Sequence, residues 1–261
     1  MKITPYFLIL LAAAASAVTL TSPLFASETD DRIELSAKES FVFKTYLKDD
    51  DISLQSKDGL VTLTGTVSAP SHRSLAGDTV AGLPGVTAVD NQLIESGQTP
   101  AEKSDAWLIT KVKATLLLHS NVNGSATEVN TDKGIVTLRG QAASNAQKDL
   151  TAEYARDVVG VKEVVNEMTV TADTEQAGKT TMTEKMITLG EKIDDASITA
   201  LVKTTLFYHR STSGLNTSVT TKDGVVTLGG KARTGAEKDL AGKFASDVHG
   251  VKTVNNTISV E

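Results

Sequence analysis

Four histidines, His72, His119, His209 and His249, are the side chains best suited to proton or metal chemistry in this chain of 261 residues. No HExxH or comparable zinc-ligand set occurs among them. His119 and His209 each close a helical stretch, "TLLLHS" and "TLFYHR", where a partly cationic imidazole complements the helix dipole. They read as solvated or capping side chains, unpaired with any neighbouring His or Cys. The glycine-rich "GVVTLGG" of 224–230 is no phosphate cradle, because Gly224 precedes a strand and Gly230 ends it, whereas a dinucleotide loop lies between a strand and a helix. Serines form no GxSxG elbow. Charges such as "QKDL" and "EKDL" sit on exposed helix faces. Catalytic, cofactor and metal residues are therefore all expected to be none, and the protein is expected not to be an enzyme.

The elements that carry these residues are written three times. Gly59 and Gly65 recur as Gly134 and Gly140, and again as Gly224 and Gly230; Gly85, Gly160 and Gly250 lie twenty residues beyond the second glycine of each set, and Asn91, Asn166 and Asn256 six further. Fixed offsets in three copies define a tandem array. Leu108, Val112 and Leu116, with their counterparts Ile198, Val202 and Leu206, stand at helical spacing behind Ser104 and Asp195 as N-caps. Two short β-rich runs flank a "TDKG" or "TKDG" turn, as in an antiparallel hairpin. A second helix follows from Ser144, burying Leu150, Tyr154 and Val158 and ending at Gly160; Leu240, Phe244 and Val248 repeat the stripe before Gly250, and Leu75, Thr79 and Leu83 before Gly85. The last strand alternates Val164, Asn166, Met168 and Val170. An inward asparagine must bond to something, and backbone near the glycine-ended turn is the expected partner.

The spacing thus predicts an α+β chain of three αββαβ modules, each a three-stranded mixed sheet with two helices on one face and its last strand parallel to a hairpin strand. The modules span 34–95, 104–171 and 194–261. The first is read as shortened, with twelve steps from Leu47 to Gly59 against eighteen from Leu116 to Gly134. Linkers cover 96–103 and 171–194, the second with Met182, Met186, Leu189 and Ile193 at amphipathic spacing.

Residues 1–26 read as a secretory signal peptide, with Lys2, an apolar run from Phe7 to Leu20 and cleavage after Ala26; Ala15-Ser16-Ala17 is a second site. The run is shorter than the ~20 residues of a membrane span. There is no cysteine, hence neither a disulfide framework nor an acylated anchor. Without the signal the chain carries 25 basic and 32 acidic groups, which argues against nucleic acid as a partner. By module the formal charge is −4, −1 and +2. Only the third suits an anionic surface, and its "LFYHR" places Phe207 and Tyr208 beside Arg210 as an interfacial tip.

The signal peptide, the repeated "KDGVVTLGG" with its following helix, and "VHGVKTVNNTISV" together resemble the BON domain, a family named for bacterial osmotically inducible periplasmic and nodulation proteins. The resemblance covers nearly all of the chain after the signal. It implies a periplasmic protein of the osmotic or envelope stress response, with unfolded or outer-membrane proteins as chaperone-type partners, or anionic phospholipid as the alternative partner; the chain itself is expected to be a monomer.

Overall fold

The computed structural model describes residues 24–96, 104–171, 193–212 and 215–261; the first 23 residues of the signal segment, and Met182, Met186 and Leu189 of the second linker, lie outside them. Module 1 runs α1 (Leu24–Glu39), α2 (Phe41–Thr45), β1 (Asp51–Lys57), β2 (Leu60–Val67), α3 (Pro70–Ala81), β3 (Ala88–Asn91) and β4 (Ile94–Glu95). Module 2 runs α4 (Asp105–Leu118), β5 (Glu128–Asp132), β6 (Ile135–Arg139), β7 (Gln141–Ala142), α5 (Asn145–Arg156), β8 (Glu163–Asn166) and β9 (Thr169–Val170). Module 3 runs α6 (Asp195–Tyr208), β10 (Asn216–Lys222), β11 (Val225–Ala232), α7 (Gly235–Ser246), β12 (Thr253–Asn256) and β13 (Ser259–Val260). In each the hairpin is antiparallel and the strand after the second helix returns parallel to the hairpin's second strand, as β2 with β3, β6 with β8 and β11 with β12. That is the predicted αββαβ order.

The repeated phrase has a backbone cause. Lys57 pairs with Leu60, Asp132 with Ile135 and Lys222 with Val225, so each loop has two residues. Both loop residues take positive φ, for example Asp223 at 53° and Gly224 at 78°. Two left-handed residues make the type I′ turn whose twist matches a hairpin, and Asp-Gly suits it. The second glycine answers to sterics: at Gly230, φ 113°, a Cβ would overlap the carbonyl oxygen of Asn216 on the partner strand.

A carboxylate of the first helix fastens each turn, from the first residue of α4 and α6 and from within α1. Asp30 accepts from the Asp58 and Gly59 amides at 2.9 and 3.0 Å, Asp105 from Lys133 and Gly134 at 2.8 and 2.9 Å, and Asp195 from Asp223 and Gly224 at 2.6 and 2.8 Å. Each stands twenty-nine residues before its turn glycine. This corrects two expectations. Asp195 does not cap its helix; Asp194 does, accepting from the Ser197 amide, while Ser104 caps α4 as expected. Nor is the first module shortened: β1 has the seven residues of β10, and Phe41, not Leu47, holds the place of Leu116 and Leu206. The helix breaks at Ser40, which caps α2, and the turn after α2 tucks Leu47 into the core beside Phe41, where it mimics a helix position. Replacing Asp195 by alanine strands two turn amides, and urea unfolding should show a loss of about 1–2 kcal/mol.

The asparagines of the last strand are satisfied as a set, though not by the glycine turn. Asn91, Asn166 and Asn256 donate from Nδ2 to the carbonyls of Arg73, Lys148 and Lys238 on the second helix, and accept at Oδ1 from the amides of Leu93, Met168 and Ile258. They tie strand to helix across the break between paired segments. The second helices also end earlier than expected. α5 stops at Arg156 and α7 at Ser246, while Gly160 and Gly250, φ 95° and 86°, reverse the chain three residues past the caps Asp157 and Asp247. The freed valines, Val158 and Val248, make contacts between modules.

The modules pack against one another. α6 is buried over most of its surface, including Ile198, Ala200, Leu201, Val202, Thr204 and Thr205, because it lies between its own sheet, α3 of module 1 and α4 of module 2; Phe207 in its last turn is exposed. Asp194 Oδ2 accepts from the Phe41 amide at 2.8 Å, Ser197 Oγ from the Val42 amide at 3.1 Å, and Lys203 pairs with Asp78 at 3.1 Å.

Candidate functional site

The four histidines, far apart in sequence, meet at the junction of the three modules. His119 follows α4 and His209 follows α6, and their Nε2 atoms are 2.7 Å apart. Both rings are fully buried, His119 stacked on Tyr154 at 3.7 Å and His209 on Phe244 at 4.0 Å between centroids. His119 also lines, with His72 and His249, a cleft of about 260 Å³ walled by Tyr46, Leu116, Leu117 and Val122.

The pairing has an approximate twofold symmetry that follows from the repeat. His119 bridges to Val248 and His209 to Val158; the Ser120 amide donates to the Asp247 carbonyl at 2.8 Å and the Arg210 amide to the Asp157 carbonyl at 2.7 Å. Each residue lies ninety positions from its counterpart. The symmetry fails at two substitutions, Tyr154 against Phe244 and Asn121 against Ser211. Asp157 receives His209 Nδ1 at 3.1 Å and the Ser211 hydroxyl at 2.6 Å, but Asp247 is occupied by the Tyr154 hydroxyl and by Asn121 Nδ2. Module 3 has Phe244 where module 2 has Tyr154, so no phenol takes the Asp157 oxygen that His209 meets. Nδ1 of His119 is left buried and without a hydrogen-bond partner.

These contacts assign the tautomers. A carboxylate only accepts, so His209 carries its proton on Nδ1; as a neutral ring it then accepts at Nε2, and His119 must donate from Nε2. The result is a chain from Asp157 through His209 to His119 that ends on a bare Nδ1. Burial, reinforced by His209 and His249, holds the His119 pKa well below 6.5, and burial lowers His249 to about 4. Burial pushes Asp157 up, but the hydrogen bonds from His209 and Ser211 outweigh it and leave the carboxyl below its ordinary value. Both shifted histidines are thus neutral near pH 7, which overturns the expectation of a cationic, dipole-complementing His119. What the arrangement can do chemically is bind protons; among the described residues no group of three or more His, Asp or Glu is placed to hold a metal.

The interfacial trio does not gather into one tip. Phe207 is 66% exposed, whereas Tyr208 is buried with Lys111 Nζ 3.9 Å above its ring, and burial pushes its pKa up to about 12. Arg210 turns into the module 2–3 junction, with Nη2 donating to the Arg156 carbonyl at 2.9 Å and Nε 4.0 Å from Asp157. The nine glycines singled out, Gly59, Gly65, Gly85, Gly134, Gly140, Gly160, Gly224, Gly230 and Gly250, all take positive φ. The histidine pair was legible as a matched position in two copies, accompanied by Asp157 and Asp247 and by Tyr154 and Phe244; module 1 has Lys44, Gly82 and Thr79 there.

The αββαβ unit with its paired glycines defines the class: a model of the BON domain matches residues 29–96, 104–172 and 194–261, and the chain belongs to that family. It is similar to Osmotically-inducible protein Y of Escherichia coli, 31% identical over 60% of this chain and 73% of that one. It is also similar to the 21 kDa hemolysin of Actinobacillus pleuropneumoniae, 35% identical over 44% of this chain and 59% of that one. Outer membrane lipoprotein DolP of Haemophilus influenzae is 28% identical over 44% of this chain and 60% of its own length. Among the described residues no helix is long and apolar enough to cross a membrane.

Proposed function

We propose that this is a non-catalytic periplasmic protein of the osmotic or envelope stress response, monomeric, that holds unfolded exported or outer-membrane proteins through transient apolar contacts. The observation that carries the reading is a recurrent exposed side chain. Leu60, Ile135 and Val225, each the first residue past its hairpin turn, are 47%, 39% and 41% exposed, and each alternates with buried Val61, Val136 and Val226 facing the helices. Every module therefore shows water an apolar spot at the same place on its uncovered sheet face. Three weak sites on one body gain avidity for an extended client that reaches more than one. Kinship with an osmotically inducible protein and an outer-membrane lipoprotein supports the setting.

The test is light scattering by a diluted, unfolded outer-membrane protein with and without the signal-free chain, at low and high salt. Suppression that survives salt is expected, because apolar contacts are not screened. Changing Leu60, Ile135 and Val225 together to serine should abolish it; unaltered suppression by that variant would remove the basis of the reading. Exposure of Phe207 favours a second reading, peripheral binding to anionic phospholipid through module 3, for which salt-sensitive flotation with anionic liposomes and its loss in Phe207→Asp are the expected results.

A further inference from the structure

The His119–His209 pair is a contact between modules that can carry one extra proton but not two. The first proton has a place to go. With His209 protonated on both nitrogens, its Nδ1–H still faces Asp157 and its Nε2–H can donate to His119, whose own proton moves to the vacant Nδ1. The positive charge then lies against a carboxylate. A second proton puts an N–H on both Nε2 atoms, which face each other 2.7 Å apart in a site closed to water. Among the described residues no other anion beside the pair is free to help: Glu153, which lines the junction with Asp157, Tyr154 and Phe244, is paired with Arg156, and Lys243 of α7 adds a cation there. Asp247 is engaged by Tyr154 and Asn121; Arg210 and His249 add positive or neutral groups from module 3; and from module 1 His72 lies across the cleft, held by Asp50 at 2.5 Å.

We propose that this junction is an acid-opened hinge: double protonation of the histidine pair parts modules 2 and 3 and uncovers the apolar groups sealed between them, Tyr154, Val158, Phe244 and Val248. All four are buried, and the rings stack on the two histidines or the valines bridge to them, so parting the imidazoles parts their cover as well. The inference rests on the holding role proposed above and gives it a regulation, with acid adding client-binding surface. Modules within a module pair stay intact, because the hairpin turns are fastened by carboxylates within each module, remote from the pair.

The chain has no cysteine, so one pair introduced at the exposed, equivalent positions Asp149 and Asp239 can carry a donor and an acceptor dye on the full chain. A single short distance is expected at about pH 7 and a longer one at about pH 4, reversible on neutralisation, with far-ultraviolet dichroism unchanged. His119→Gln leaves one imidazole, which Asp157 can neutralise, and should stay closed in acid. Asp157→Asn removes the counter-charge and should open at a higher pH than the unaltered chain, which keeps the test decisive if the first variant is disturbed at neutral pH. An unaltered distance at about pH 4, or a distance that lengthens only as the helical signal is lost, would overturn the hinge. Scattering assays at both pH values separate the two ideas: opening with a several-fold rise in client held supports both, opening with holding unchanged keeps the hinge and sinks the regulation, and opening with no holding at either pH keeps the hinge and sinks the holding role.

Discussion

Lysine in place of Leu201 should cost about 4 kcal/mol or more, enough to shift the urea midpoint far and to loosen module 1 from the rest. Leu201 is completely buried in α6, and a lysine there must leave its ammonium unpaired in the interior or push the helix out of its slot. The other copy supplies the control. Module 2 has Lys111 at the matching place, and there the ammonium reaches past Trp107 to lie over the ring of Tyr208, at 5.3 and 3.9 Å. One repeat position thus faces the core in module 3 and the margin in module 2. A leucine at Lys111 should change stability by less than about 1 kcal/mol, losing a cation–π contact and gaining apolar burial. Equal and small effects at both positions would mean that α6 is not enclosed by its neighbours.

The same pair of residues shows what periodicity could and could not reveal. Ile198, Val202 and Leu206 form the stripe that any amphipathic helix needs to cover its own sheet, and they were readable because Leu108, Val112 and Leu116 repeat it. Ala200, Leu201 and Thr204 are buried for a different reason, contact with other modules, which leaves no internal period. Its trace was the difference between copies: leucine against lysine at 201 and 111, alanine against threonine at 200 and 110. Repeats tell first about the module and only by their departures about the assembly. The register of module 1 failed on the same ground. Leu47 looked like the end of a helical stripe, whereas Asp30, a polar residue fixed by its bonds to the turn amides, marked the true offset.

The site was legible in its parts and hidden in its geometry. His119 and His209 could be matched by position, but a helix end reads as solvated unless something covers it. What covers each is the other, through the early termination of α5 and α7 that frees Val158 and Val248 to pair with them. Arg210 shows the converse. As a charge beside two aromatics it suggested an outward tip, yet the same twofold contact draws its backbone amide and guanidinium into module 2. Phe207 and Arg210 kept the exposure that the trio was expected to share, and Tyr208 is the member that is buried.

Acid should weaken the folded chain, and His249 should account for about 3 kcal/mol of the loss. Its pKa is lowered from 6.5 to about 4 because burial disfavours the imidazolium. Below 6.5 the unfolded chain therefore binds a proton that the folded chain refuses, and stability rises with pH wherever the unfolded state holds more protons. The contribution is complete above about pH 6.5, declines as pH falls through the window to about 4, and then levels off because both states are protonated. At 1.36 kcal/mol per pKa unit the window of roughly 2.5 units corresponds to about 3 kcal/mol. His119 is lowered too, chiefly by burial, so its loss has the same sign and adds to that of His249. Urea unfolding at a series of pH values should give a free energy that falls from about pH 6.5 downward, and His249→Leu should flatten the curve by the share of that residue. The variant also separates the two acid effects, since His249 lines the cleft but does not belong to the Nε2 contact. Removing it should spare the acid-dependent distance between modules 2 and 3 while improving survival of the whole fold at low pH. A curve that is flat between pH 7 and about 4 in the unaltered chain would mean that the imidazoles are solvated, and the enclosed junction would have to be abandoned.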